Sequence, residues 1–164
     1  MLEWIKDIQA RLLDRIKQGR YARIMALPRG PVAASSEAEA ALFDLVDVYD
    51  HAYETAAAQL SLSAAQACVL GRLDEPRGMG ALAEELGCDA SNITQIVARL
   101  ETVGLVTREP NPHDGRARLV TRTRQGDELN RRFEETFTFA RLAVGRLSPD
   151  EQDQLTALLR KALG

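Results

Sequence analysis

At 164 residues with a formal charge of −3, the chain has the length of one domain, or one domain with appendages, and is long enough to bury a core. Hydrophobic residues make up 45% and aromatics only 5%, a balance led by alanine and leucine that favours helices. No apolar run approaches the roughly 20 residues of a membrane span. MLEWIKDIQARLL lacks the unbroken apolar core of a signal peptide, and Cys68 and Cys88 show neither metal-ligand spacing nor a disulfide framework. The expectation is a cytoplasmic protein with no membrane contact, no metal and no cofactor.

In chain order, residues 2–18 place Leu2, Ile5, Ile8, Leu12 and Ile16 on one helical stripe, with Glu3, Lys6, Asp7, Arg11 and Lys17 mainly opposite. Gly19 interrupts it, residues 21–27 form a shorter apolar-basic piece, and PRGPVAASS (28–36) reads as a linker. A lone helix of this length is marginal in water, so the stripe of this N-terminal helical extension (1–30) needs a surface to pack on, in the same chain or a partner copy. Residues 31–60 read as linker and first dimerisation helix. From 37 to 60, Leu42, Leu45, Val46, Tyr49, Tyr53 and Ala56 form the expected buried face. Glu37, Glu39, Asp44, Asp47, Asp50 and Glu54 stand there without a lysine or arginine, most of them toward the N-terminal half, where the helix dipole favours them.

The segment 61–124 carries most of the information. Ser63 with Gln66 is a capping box for a helix to about residue 73, and DEPRGMG (74–80) reads as a loop. A helix over 81–86 stops at Gly87, and Asp89 is placed to cap a second helix that runs to 103 and stops at Gly104. Residues 105–109 and 117–123 alternate as two strands joined by PNPHDGR. From about 125 a long helix carries Leu129, Phe133, Phe137, Ala140 and Val144. Ser148-Pro149-Asp150-Glu151 then opens a last helix with Leu155, Leu158, Leu159 and Ala162. The fold expected is mainly α with a small β-hairpin wing: a winged helix-turn-helix lobe, with terminal helices (125–164 at the C-terminal end) forming a dimerisation region.

Such a lobe is a shape for gripping duplex DNA. The short turn Gly87-Cys88-Asp89 holds two helices at a steep angle and presents the N-terminal turns of the second to a major groove. Those turns expose Ala90, Ser91, Asn92, Thr94 and Gln95. Asn and Gln can pair in bidentate fashion with adenine, Ser and Thr can reach bases or phosphates, and Ala90 can meet a thymine methyl. Arg99, one turn on, suits a phosphate. The overall charge is negative, yet the hairpin carries Arg108, Arg116, Arg118, Arg122 and Arg124 against Glu109 and Asp114. At its tip Arg116 can enter a narrow minor groove, oriented by Asp114 through a charge-assisted bond, with His113 serving the turn or a phosphate.

The runs LSAAQACVLGRL, LAEELGCDASNITQIVARLETVGLVTREPNPHDGRARLV and TRQG resemble the MarR family of winged-helix repressors over roughly residues 37–163. The specific parts are LAEELG, the register Ser91, Thr94, Val97, Arg99 and Leu100, then GLV-x-R, and D-x-R in the wing. The resemblance implies a homodimer joined by terminal helices, with Ser91, Asn92, Thr94 and Gln95 in the major groove and Arg116, held by Asp114, in the minor groove. Two departures stand out. Gly115 sits where many relatives carry a further basic residue, and the lead-in over 1–30 is longer than usual, its stripe suited to enlarging the dimer interface.

The resemblance also implies an effector, a small aromatic or phenolic acid bound between the dimer base and the DNA lobe, with Tyr49, His51, Tyr53 and Arg72 as candidate contacts. Trp4 in an extended N-terminus is similar to the urate-responsive branch, but Cys68 stands where that branch carries an acidic residue. A competing trigger is thiol oxidation at Cys88, just ahead of the second helix, while Cys68 reads as a small hydrophobe. An enzyme is a poor fit, since no catalytic order, phosphate loop or metal cluster stands out. A winged helix used only for protein contacts would lack directed arginines.

Overall fold

A computed structural model describes residues 33–112 and 114–164, with 115 and 116 by backbone alone. The stripe of residues 2–18, Trp4, the segment 21–27 and His113 lie outside the described residues. Ser36 accepts a hydrogen bond from the Glu39 N–H and opens α1 (Glu37–Gln59). Its end is closed by the Ser61 N–H to the Ala58 carbonyl and the Leu62 N–H to the Ala57 carbonyl, both 3.0 Å. This cap holds Ser61 at φ 59°, a left-handed position that usually falls to glycine. The Ser63–Gln66 capping box then starts α2 (Ala64–Gly71), as its sequence requires.

The stretch 74–80, expected to be loop, holds two elements. Arg77–Gly78 is a short strand, β1, and α3 (Met79–Glu85) begins two residues before the expected start at 81. No local pattern marks β1; it exists because β3 offers it an open edge. After α3 the Gly87 N–H donates to the Glu84 carbonyl at 3.2 Å and the Cys88 N–H to the Ala83 carbonyl at 3.0 Å, with Gly87 at φ 58°. That reversal requires a residue without a Cβ penalty, which the sequence supplies. α4 (Ala90–Thr102) follows with Asp89 at its N-cap, but the Asp89 side chain makes no capping bond. Its backbone carbonyl instead accepts the Asn92 and Ile93 N–H groups at 2.9 and 3.2 Å.

β2 (Val106–Asn111) and β3 (Asp114–Arg122) form the wing, and with β1 make an antiparallel sheet in the order β1-β3-β2. Most of the expected joint is therefore strand. Val106 pairs with Arg122 and Glu109 with Leu119, and the register slips between Pro110 and Asn111. Pro110 is tolerated there because β2 is an edge strand and the ladder is irregular at that point. The long helix expected from 125 is also divided. α5 (Arg124–Thr136) ends at Phe137, whose backbone turns to φ −81°, ψ 84°, before α6 (Phe139–Val144) and α7 (Pro149–Leu163). The run Thr136-Phe137-Thr138-Phe139 is poor in helix formers, and the Phe137 ring gains edge contacts with Tyr49 and Tyr53 at 5.2 and 5.1 Å.

The core sits under the lobe. Leu70, Leu82, Ile93, Val97, Leu100 and Val120 are fully buried, bringing α2, α3, α4 and β3 together. Ile93, Ile96, Val97 and Leu100 recur at helical spacing and form the inner face of α4. The expected inner face of α1 is largely open instead. Leu42, Leu45, Val46 and Tyr49 are 41–51% exposed, and only Tyr53 and Ala56 pack into the lobe. On α7, Leu158 and Leu159 are likewise exposed. The reason is geometric: both stripes extend beyond the lobe, and none of the described residues covers them.

One junction ties lobe to helices. The Thr123 N–H donates to the Leu105 carbonyl at 3.0 Å, its hydroxyl donates to the Gly104 carbonyl at 2.6 Å, and the same hydroxyl accepts the Gly126 N–H at 3.1 Å. A Cβ on Gly126 would stand 2.0 Å from the Leu105 carbonyl oxygen, so the backbones meet only because residue 126 has none. Gly126→Ala is expected to destabilise the protein by about 1–3 kcal/mol or more in urea unfolding, since backbone must shift. Unchanged stability would show the junction to be looser than described.

Candidate nucleic-acid interface

Burial of one face of α4 decides what the other presents. With Ile93, Ile96, Val97 and Leu100 inside, Ala90, Ser91, Asn92, Thr94, Gln95, Ala98 and Arg99 are all exposed. The structure thus brings the candidate residues of this helix onto a single outward surface. The Thr94 hydroxyl donates back to the Ala90 carbonyl at 2.7 Å, so outward it offers its methyl and a lone pair. The first N–H groups of α4, at Ala90 and Ser91, have no carbonyl partner within the helix and point toward its N-terminal end. Together with the helix dipole they favour an anion there.

Ionic straps tie α4 to the wing and link the elements that support it. Arg77 on β1 donates to Glu85 on α3 at 2.8 Å and to Asp74 at 3.1 Å, and Arg72 at the end of α2 lies 3.6 Å from the same Glu85 carboxylate. The Arg77 hydrogen bond holds the Asp74 carboxyl below its usual range, and the Asp74 bond raises Arg77. Arg108 on β2 reaches Glu101 on α4 at 3.3 Å and fixes wing to helix. Arg122 on β3 reaches Asp127 at 2.8 Å and donates to the Leu70 carbonyl at 3.3 Å, with its side chain only 15% exposed. Two of the five arginines assigned to a basic hairpin therefore serve the fold. Arg118 and Arg124 are exposed, as is Asp114, which pairs in register with Asn111. The Arg116 side chain lies outside the described residues, and with it the expected Asp114–Arg116 bond.

The four candidate effector contacts divide. Tyr49 and Tyr53, one helical turn apart, stack at 6.3 Å and pack edge-on against Phe133, Phe137 and Phe139 at 4.9 to 5.9 Å. Arg72 lies near enough to bear on the ionisation of both. His51 faces away, exposed, in an open groove of about 350 Å³ with Thr55, Gln59, Phe139 and Leu142. The split follows from spacing, because residues two apart on a helix do not share a face. Sequence reading did not name Phe133, Phe137 and Phe139 as partners of these tyrosines, although the run FTF at 137–139 was visible.

Burial pushes both tyrosine hydroxyls above their ordinary range, helped by Cys68, with Arg72 opposing. Burial likewise raises the Cys68 thiol. Cys88 is raised by burial and by Asp89, and its thiol donates to the Leu86 carbonyl at 3.3 Å. A redox sensor needs the opposite shift, which weighs against the thiol trigger. Both thiols should therefore alkylate more slowly at neutral pH than a free cysteine; faster reaction at Cys88 would reinstate that trigger. For the tyrosines, the folded state holds the proton more tightly than the unfolded chain. Their contribution to stability is complete below the ordinary range near about pH 10 and is lost as pH rises through the raised values. Urea midpoints should fall above that pH, less steeply in Tyr53→Phe; identical slopes would refute the burial.

Comparison with known proteins places this geometry. Residues 60–117 match the model of the MarR family. The chain is 33% identical over 91 residues to the uncharacterized HTH-type transcriptional regulator YkoM of Bacillus subtilis (strain 168), covering 53% of this chain and 57% of that relative, less than two thirds of its length. Wild-type MarR from E. coli in its apo form superimposes with a TM-score of 0.65 at 25% identity, covering 82% of this chain and 100% of that one. A mutant MarR from E. coli complexed with operator DNA gives a TM-score of 0.61 at 27% identity, over 75% of this chain and 91% of that one. The motifs LAEELG and GLV-x-R, β2 and the start of β3 fall inside the matched segment, and the sheet, turn and helix pair are those of a winged helix. Over this lobe the chain is similar to the MarR family of winged-helix proteins.

Proposed function

We propose that the protein is a sequence-specific DNA-binding transcriptional regulator that works as a homodimer. The observation that carries this reading is the outward face of α4. A helix anchored by four buried residues presents Ala90, Ser91, Asn92, Thr94 and Gln95 together, beside a hairpin strapped to it by Arg108 and Glu101. The likeness to a mutant MarR complexed with operator DNA supports it. On this reading Asn92 and Gln95 read adenines, Ala90 and the Thr94 methyl meet thymine methyl groups, and Ser91 with the free N–H groups of the first turn takes a phosphate. Arg99 and Arg118 track the backbone, while Arg116, oriented by Asp114 and with His113 beside it, enters the minor groove.

The exposed Leu142, Leu158, Leu159 and Leu163 of α6 and α7 suit a surface shared with a second copy. Two-fold pairing would set the reading helices about 34 Å apart and match a pseudo-palindromic operator. Occlusion of a promoter by the bound dimer makes repression the simpler outcome. A small aromatic acid among Tyr49, Tyr53 and Arg72 would compete with Glu85 for the Arg72 guanidinium. Since Glu85 sits on α3, loosening that pair would reach the reading helix.

Genomic duplexes retained by the purified protein supply the test. Gln95→Ala should lose about 1–3 kcal/mol of discrimination between the retained site and a scrambled one. Arg118→Ala should weaken both equally and reduce the salt slope by about one. Arg116→Ala should weaken operator binding with the thermal midpoint nearly unchanged. Flat salt dependence and equal affinity for scrambled duplex would defeat the assignment in favour of a protein-contact module.

A further inference from the structure

Asp89, the residue just ahead of α4, carries an inference that rests on the proposed reading of this helix as the DNA-recognition element. It stands at the N-cap with φ −64° and ψ 140°, and it is exposed. An aspartate at this position ordinarily turns its carboxylate back to an N–H of the first turn. Here the Asn92 and Ile93 N–H groups donate to the Asp89 backbone carbonyl at 2.9 and 3.2 Å, and the side chain forms no capping bond. It forms no ion pair among the described residues either, and the neighbouring Cys88 thiol donates to the Leu86 carbonyl instead. The carboxylate is a solvated acceptor at the leading edge of the outward face of α4.

Its charge stands alone on that edge. The run 89–98, DASNITQIVA, holds no lysine, arginine, histidine or glutamate, so Asp89 is its one charged side chain. Arg99 comes a turn later, and Arg108 is held by Glu101. Duplex DNA offers such a group two kinds of neighbour. Phosphate oxygens repel it, and the Ala90 and Ser91 N–H groups, which favour a phosphate at the same end of the helix, turn it toward the bases. Base edges differ in kind. Guanine presents O6 and N7 and thymine presents O4, all acceptors, and adenine sets an N7 acceptor beside its N6 donor. Cytosine presents the N4 amino donor alone. An ionised carboxylate can only accept, so cytosine matches it best and guanine worst.

We infer that Asp89 is a specificity-determining residue, accepting a hydrogen bond from the N4 amino group of a cytosine in each half-site and excluding guanine from that position. Asn92 and Gln95 suit adenine and do not contend for this base. Exclusion is the larger part of the effect. A carboxylate withdrawn from water is costly unless a donor replaces its hydration, and a wrong base meets it with acceptors. On other duplexes the same charge lies near phosphates and lowers affinity, which widens the ratio between operator and bulk DNA.

The full-length protein and a genomic duplex that it retains provide the test. Each base pair of a half-site is replaced in turn, and affinity is measured for the parent, Asp89→Ala and Asp89→Asn. In the parent one position should require cytosine, with guanine there costing about 5- to 150-fold. Asp89→Ala should accept all four bases at that position, keep the other preferences, and bind scrambled duplex more tightly. Asp89→Asn should move the preference toward adenine, which a carboxamide pairs in bidentate fashion. Because the side chain makes no capping bond, both variants should keep the parent's thermal midpoint. A midpoint that falls in Asp89→Ala while every base preference stays the same would overturn the inference and return Asp89 to the cap. An equal change of affinity on all duplexes would overturn it too, leaving a charge that acts on phosphates alone. In either case a steep salt dependence and the loss in Gln95→Ala would persist, so the reading of α4 would survive without this residue. A parent that retains no duplex would end both.

Discussion

The approach of Gly126 to Leu105 is the constraint on which the arrangement depends. At that point the chain leaving α4 through Gly104 and the chain leaving β3 through Thr123 are joined by backbone and hydroxyl hydrogen bonds. α4, wing and α5 are thereby locked at one place, close enough that a methyl group would not fit. The consequence is mechanical. A tilt of α5 cannot occur without moving the root of the wing and the exit of α4, so the helical base and the lobe move as connected parts.

Charge is partitioned in the same spirit. Arg72, Arg77, Arg108 and Arg122 are spent on carboxylates and a carbonyl inside the lobe, where their value lies in fixing orientation. The more exposed of these pairs, such as Arg108–Glu101, contribute about 0–1 kcal/mol each. Arg99, Arg118 and Arg124 remain on the surface. An acidic α1, with exposed arginines at α4 and the wing, reconciles the negative overall charge with the proposed partner, because local potential governs phosphate attraction.

Much of this was legible in the sequence where the signal is local. The Ser63–Gln66 and Ser148–Glu151 capping boxes, the stop at Gly87 and the inner face of α4 all follow from short-range chemistry, and each occurs as read. What escaped depends on partners distant in sequence. β1 has no pattern of its own and exists through pairing with Leu119 and Val120. The break at Phe137 reflects rings supplied by α1. Asp89 sits at its cap position without forming the bond that composition suggested. Periodicity correctly located the stripes of α1 and α7, yet it cannot say what covers them, so half of an expected core proved to be surface. Among the candidate site residues, the exposed face of α4 was read from the same periodicity as its core. The separation of His51 from Tyr49 and Tyr53 was implicit in their spacing and was overlooked.

On the proposed function, two copies of α4 enter neighbouring major grooves of one duplex. Hydroxyl-radical footprinting on a retained operator fragment tests it most directly. Two protected windows related by a two-fold axis are expected, centred about one helical turn or 10–10.5 base pairs apart, with flanking protection where the wings follow the minor groove. A single unsymmetrical window, or uniform reactivity along a duplex that the folded protein occupies, would contradict it.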